Sequence, residues 1–247
     1  MHIRPACFVL LLALGASAPA SAQDTPIDTT VVAEDPPTTR DIVLLHKIYN
    51  VENPAFVRTM RVADWTSLKT FYTAAPALWL GTLVFDDERD YKPAYLLTLT
   101  EAATIGTVFA VKTLVKRPRP YASLTTIASR SRGYNENDDV FDPHSFPSGH
   151  AATSFAIATS LSLSFPEWYV IAPAALWASA VTISRPWLGV HYPTDIAVGA
   201  AVGVVTALGV HALGELITPE ALRGDAKDED ELARPAPPSV RFVIPIR

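Results

Sequence analysis

The segment Ser145-Phe146-Pro147-Ser148-Gly149-His150 leads directly into an apolar run over residues 151–165. Ser148 is placed to cap a helix, Gly149 leaves backbone room, and His150 falls in the first turn. The first amides of a helix have no intrahelical partners, and the dipole makes that end positive. A tetrahedral oxyanion such as phosphate suits the place. The histidine sets a titratable proton beside it. Taken alone, the hexapeptide also reads as an ordinary serine cap after a proline turn.

Two other stretches carry related chemistry. Lys112, Lys116 and Arg119 follow i, i+4, i+7 spacing and so share one face as an apolar helix ends. Pro118 and Pro120 then force the chain out of the helix. A cationic last turn that complements the helix dipole explains one or two of these charges, not the whole cluster. Further on, Ser184-Arg185 closes another apolar run, and His191 precedes Asp195 by four residues. Pro193 fits the first position of the last long helix, which puts His191 just before it and Asp195 in its first turn. A carboxylate at that spacing can hold one imidazole nitrogen and leave the other free and nucleophilic. Arg185 could fork onto phosphate oxygens in a bidentate way that lysine cannot match.

Together these segments resemble the type 2 phosphatidic acid phosphatase superfamily, which includes bacterial class A acid phosphatases and vanadium haloperoxidases. The shared signature is Lys112…Arg119-Pro120, then Pro147-Ser148-Gly149-His150, then Ser184-Arg185…His191…Asp195. It is complete, in order, and the resemblance covers about residues 63–216. It implies that Lys112, Arg119 and Arg185 bind phosphate oxygens, with Ser148 and the Gly149 amide completing the cradle. It implies that His191 attacks phosphorus to form a phosphohistidine while Asp195 holds its other nitrogen. His150 would protonate the leaving alkoxide and then deprotonate the attacking water. Three fixed cations and a helix N-terminus supply the charge neutralisation that phosphoryl transfer needs, so no metal and no cofactor are expected. The substrate would be a phosphorylated lipid or a small phosphomonoester. Two alternatives share the pocket: a vanadate-dependent haloperoxidase, usually a much longer chain, and an exported bundle that binds phosphate without turnover.

Five long apolar segments must position these residues: 70–85, 93–111, 151–165, 168–184 and 196–213. All are rich in Ala, Leu or Val and too long for ordinary strands, which predicts an all-α single bundle. Residues 41–68 mix apolar and charged positions, as one or two short amphipathic helices broken near Pro54 would. The polar interruption 121–146 carries Arg130, Arg132, Asp138, Asp139 and Asp142, and a loop of that length reads as functional, in the manner of a lid. Trp187, Tyr192, Tyr121 and Phe146 stand close enough to signature residues to line the mouth of a site.

The ends read differently. Residues 1–22 have the form of a secretory signal, with Arg4, an apolar stretch from Cys7, and small residues before Gln23. A Thr-, Asp- and Pro-rich linker over 23–40 precedes the expected domain at 41–217, and a charged, Pro-rich tail occupies 218–247. Cleavage would remove the single cysteine, excluding disulfide and thiolate chemistry, and would move the net charge from −5 to −6. That balance gives no support to nucleic-acid binding. Apolar residues make up 49% of the chain and mean hydropathy is +0.20, between soluble and fully membrane-embedded proteins. The expectation is an exported protein, periplasmic or membrane-associated, with its site on the outer face of the cytoplasmic membrane. The acidic turn at 86–92 runs against the positive-inside tendency of a simple spanning bundle.

Overall fold

The computed structural model describes residues 39–85, 89–131 and 142–224. The expected signal, nearly all of the linker and most of the tail lie outside the described residues. So do residues 86–88 of the acidic turn and the middle of the polar loop, with Arg132, Asp138 and Asp139. Among the described residues every regular element is a helix, and the one β pairing is a bridge between Pro118 and His144.

Helix α1 spans Arg40–Tyr49 and is capped by Thr39, whose hydroxyl accepts from the Ile42 amide at 3.3 Å. It buries Ile42 and Leu45 against Leu124, Ile127 and Tyr192. Pro54 opens α2, with Asn53 Oδ1 accepting from the amides of Ala55 and Phe56 at 3.0 and 3.2 Å. The break near Pro54 is as expected. The second short helix is not, because α2 runs unbroken over Pro54–Phe85, 32 residues or about 48 Å. Nothing between Pro54 and Pro76 stops a helix, and Pro76 itself is accommodated inside it.

The other long elements fall close to the apolar segments: α3 (Lys92–Val115), α5 (Gly149–Ser164), α6 (Trp168–Trp187) and α7 (Pro193–Ala212). Short pieces complete the chain, α4 (Pro120–Ser123), α8 (Gly214–Ile217) and a final 3-10 turn, Glu220–Leu222. Helix α5 is central, packed by α3, α6 and α7. Ala75 and Leu78 from α2, Ala94 and Leu97 from α3, Ile157 and Leu161 from α5, and Val170 from α6 form one buried cluster. Burying each large side chain of this kind stabilises the fold by roughly 1.5–3 kcal/mol.

Helices α5 and α7 lie closer than side chains normally permit. A Cβ at Gly199 would strike the Ser148 carbonyl, and one at Gly203 would overlap the Ala152 carbonyl. The hydroxyl of Ser160 meets His211 Nε2 at 2.9 Å. Each of these pairs is offset by the same 51 positions, so the two helices run parallel along a seam of small residues. Small residues at four-residue spacing allow backbones this close. Both N-termini therefore open at the same end of the bundle.

The outer faces are apolar. Leu68, Tyr72 and Leu83 of α2, Ile105 and Phe109 of α3, Trp168 and Leu176 of α6, and Val205 and Leu208 of α7 are all exposed. Phe109 is 66% exposed and Trp168 78%. Helices α3 and α7 are long and apolar enough to cross a membrane, yet only 39% and 28% of their apolar windows are buried. A core helix of a water-soluble bundle would be covered over most of its length. These two are not.

Candidate active site

Lys112 lies in the last turn of α3, which ends where Lys116 takes a left-handed conformation (φ 51°). The chain then leaves the helix through Pro118, paired with His144, while the Ser145 amide donates to the Arg117 carbonyl at 2.8 Å. Arg119 thus reaches the site through an extended turn, not along a helix face. Lys116 stays exposed and outside the cluster, which corrects the expected i, i+4, i+7 alignment. Ser148 is the N-cap of α5, accepting from the Ala151 amide, and its own amide donates to the Asp195 carbonyl at 3.0 Å. Gly149 and His150 are the first two residues of that helix. Arg185 stands in the last turn of α6. Gly189 follows at φ 76°, where a side chain would also meet the Ala128 carbonyl at 2.6 Å. That tight turn delivers His191 to the mouth of α7, with Pro193 at its first position and Asp195 in its first turn.

The eight signature residues expected to act in the site (Lys112, Arg119, Ser148, Gly149, His150, Arg185, His191 and Asp195) gather at one end of the bundle. Arg119 and Arg185 are each 1% exposed and His191 2%. Arg119 Nη1 stands 3.1 Å from His191 Nε2 and donates to the Val190 carbonyl at 3.0 Å. A guanidinium is only ever a donor, so Nε2 accepts and the ring proton belongs on Nδ1. Nδ1 faces Asp195 Oδ2 at 3.5 Å, too long for a well-formed hydrogen bond, and has no other partner. The carboxylate is pinned elsewhere: Oδ2 accepts from the Tyr192 amide at 2.8 Å and Oδ1 from Arg117 Nη1 at 2.7 Å. His150 meets the edge of Phe71 with ring centroids 5.4 Å apart, and among the described residues it makes no hydrogen bond.

Each cation of the cradle is held by a carboxylate. Lys112 Nζ contacts Asp142 Oδ2 at 2.9 Å and donates to the His144 carbonyl at 2.6 Å. Arg119 Nη2 reaches the same Asp142 oxygen at 3.2 Å. Arg185 Nη2 pairs with Asp64 Oδ1 at 2.6 Å and with Ser184 Oγ at 2.7 Å. Sequence reasoning assigned no role to Asp64, Asp142 or Arg117. For Arg117 a signal was present, a further arginine directly before Pro118 within the first motif. Asp64 carried none. Among the described residues no three His, Cys, Asp or Glu side chains gather as a metal site.

Two of the aromatics expected at the mouth are instead core. Trp187 and Tyr192 are 3% and 5% exposed. Trp187 Nε1 donates to the Val51 carbonyl at 3.3 Å, and Tyr192 packs under α1. Helix α1 and the start of α2 fold over them, which the local sequence around position 190 does not announce. Tyr121 and Phe146 are half-buried.

Burial first, and then the charges of Arg119, Lys112 and Arg185, push the His191 imidazole well below its ordinary range. A histidine nucleophile must be neutral, so its active form persists into acid. With His191 as the nucleophile expected from the signature, the acid limb it imposes on kcat/KM, which reports the free enzyme, is expected below the ordinary value of about 6.5. A pH profile with an aryl phosphate checks this, and a limb centred at or above 6.5 contradicts it.

The PAP2 superfamily profile matches residues 93–217, half of the chain. This chain belongs to the PAP2 superfamily. It is 34% identical over 119 residues to the lipid A 4'-phosphatase of Bacteroides thetaiotaomicron, covering 46% of this chain and 49% of that protein. It is 33% identical over 106 residues to the decaprenylphosphoryl-5-phosphoribose phosphatase of Mycobacterium tuberculosis, covering 42% and 51%. The chain thus spans about half the length of these curated relatives. Among solved PAP2 folds, Aquifex aeolicus LpxE superposes with a TM-score of 0.55 at 27% identity, over 71% of this chain and 97% of that one. The phosphatidylglycerolphosphate phosphatase of Bacillus subtilis gives 0.57 at 22% identity, over 73% and 87%, and supports the fold alone.

Proposed function

We propose that the protein is a membrane-embedded phosphatase that hydrolyses a lipid phosphate ester through a phosphohistidine on His191, without metal. The observation that carries the lipid reading is the exposed apolar surface of α2, α3, α6 and α7 on the bundle whose end holds the cradle. Exposed apolar area on this scale is unusual for a soluble monomer. A substrate with a hydrocarbon tail reaches such a site from within the bilayer. The named relatives act on lipid A and on a decaprenyl phosphate ester, which supports the same class. The expected signal sequence supports export, with the site on the outer face of the cytoplasmic membrane.

In the first step His191 Nε2 attacks phosphorus as the bond to the lipid oxygen breaks, and His150 gives that oxygen its proton. In the second step a water attacks the phosphohistidine, His150 takes its proton, and the P–N bond breaks to release phosphate and regenerate Nε2. Lys112, Arg119 and Arg185 neutralise the oxygens, and the N-terminus of α5 adds its amides. Asp64 and Asp142 hold the cations in place between turnovers, so little reorganisation accompanies binding.

Turnover of phosphatidic acid in mixed micelles is expected to exceed turnover of an aryl phosphate, and EDTA should leave both unchanged. Carbonate washing should leave the protein in the membrane pellet. Loss of activity with EDTA that a divalent ion restores would refute the metal-free mechanism. Release into the wash, with preference for the aryl phosphate, would favour a small soluble phosphomonoester.

A further inference from the structure

Arg117 belongs neither to the cations of the cradle nor to the nucleophile, yet it bridges two carboxylates beside them. Its Nη1 donates to Asp195 Oδ1 at 2.7 Å and to Thr194 Oγ1 at 2.8 Å, and its Nη2 donates to Asp41 Oδ2 at 2.8 Å. The guanidinium lies over the Tyr192 ring, 3.8 Å from the centroid. Asp41 is the second residue of α1 and holds the entrance of α7 as well. Its Oδ1 accepts from the Thr194 amide at 2.9 Å and its Oδ2 from the Thr194 hydroxyl at 2.6 Å. Asp41 therefore ties α1, outside the PAP2-matched residues 93–217, to the first turn of α7.

We propose that Arg117, anchored on α1 by Asp41, is the positioning residue that sets the plane of the Asp195 carboxylate against His191. This rests on the reading of His191 as nucleophile and Asp195 as its orienting partner. Asp195 is fully buried. The Tyr192 amide approaches Oδ2 and Arg117 approaches Oδ1 from fixed directions, and the Ser145 hydroxyl also hydrogen-bonds the carboxylate. With both in place the carboxylate cannot rotate, and Oδ2 is the oxygen presented to His191 Nδ1. Without Arg117 the carboxylate loses its charged donor and the donor that ties it to α1, and it is freer to turn from the imidazole. The ring then loses its fixed carboxylate neighbour, and Nε2 is no longer held in line for attack. A carboxylate beside a histidine both orients the ring and stabilises the positive charge it gains on attack. The stacking on Tyr192 and the grip of Asp41 explain why arginine is needed: only a planar fork can meet two carboxylates at once while lying flat on a ring.

The test is a kinetic split on the full chain, purified in detergent, with an aryl phosphate as substrate and inorganic phosphate as inhibitor. Arg117→Gln is expected to lower kcat by about 10- to 100-fold, the loss typical when a partner that orients a functional side chain is removed. KM and phosphate inhibition should not move, because Lys112, Arg119 and Arg185 remain. Arg117→Lys should recover part of the rate, since lysine can reach one carboxylate but not both. Asp41→Asn should lower kcat in the same direction by less, and adding it to Arg117→Gln should cost little more, as expected within one network. Asp195→Asn is the reference. If it is impaired while Arg117→Gln has full kcat, this inference falls and the nucleophile assignment stands. If Asp195→Asn is itself fully active, both fall. A raised KM and weakened phosphate inhibition at unchanged kcat would make Arg117 a phosphate ligand and overturn the proposal. Should Arg117→Gln fail to fold, Arg117→Lys and Asp41→Asn carry the test, and full kcat in both overturns it.

Discussion

His191→Ala is expected to abolish turnover and leave no phosphoenzyme to trap, whereas His150→Ala still phosphorylates slowly when the leaving group is good. His191 presents Nε2 with Arg119 Nη1 3.1 Å away, in the position a phosphate oxygen would claim on binding. No other described histidine stands against both Arg119 and Asp195, so the attacking atom has no substitute. In the proposed mechanism His150 acts instead on the departing oxygen, and general acid catalysis is typically worth about 10²–10⁴-fold. An aryl oxygen that leaves readily needs little of that help. His150→Ala should therefore lose far more activity on an alkyl phosphate than on an aryl one, and rapid quench with labelled substrate should find a persistent phosphoenzyme. Equal trapping in both variants would reverse the assignments.

The largest effect on the fold is expected at Gly203. A Cβ there overlaps the Ala152 carbonyl and crowds the Ala156 amide at 2.8 Å. Both are backbone atoms of a central helix, so no side chain can swing aside. Overpacking a core typically costs about 1–3 kcal/mol, and Gly203→Leu should reach or exceed the top of that range. Total stability for a domain is only about 5–15 kcal/mol. The prediction is a large fall in Tm, with activity lost as α7 moves off α5 and the Ser148 amide loses the Asp195 carbonyl. Gly209→Ala is the control: it is exposed, with nothing within 4 Å of an added Cβ. Replacing an interior helical glycine by alanine is worth up to about 1 kcal/mol, so Tm should hold or rise. A Gly203→Leu protein as stable as the parent would contradict the close packing of the seam.

Much of the site was legible because its residues stand where Ser148, Pro193 and the apolar runs mark helix ends. Arg119 was placed on the wrong path because spacing cannot reveal that Lys116 turns left-handed and ends α3 early. Asp64 and Asp41 were illegible for another reason. They meet Arg185 and Thr194 across 121 and 153 residues of sequence, and a lone aspartate in an amphipathic helix does not say which cation it will face. Trp187 and Tyr192 looked like lining because their burial depends on α1 and α2 folding back over them. The outward apolar faces were hidden by the uniformity of the helices, since one that is apolar all round reads alike in a core and in a bilayer.

The parallel seam has a consequence for how such a protein diversifies. His150 and Asp195 ride on helices locked backbone to backbone, with His191 at the mouth of the second, so the gap between the proposed acid and nucleophile is set by the scaffold. Phe71, which touches His150, and the exposed Leu68 and Tyr72 belong to α2, which stands outside that locked pair. Changes of substrate preference can therefore accumulate along the Leu68–Tyr72 face of α2, leaving Asp64 to hold Arg185, while the reaction geometry is inherited intact. Libraries aimed at new phosphate esters are best confined to that face.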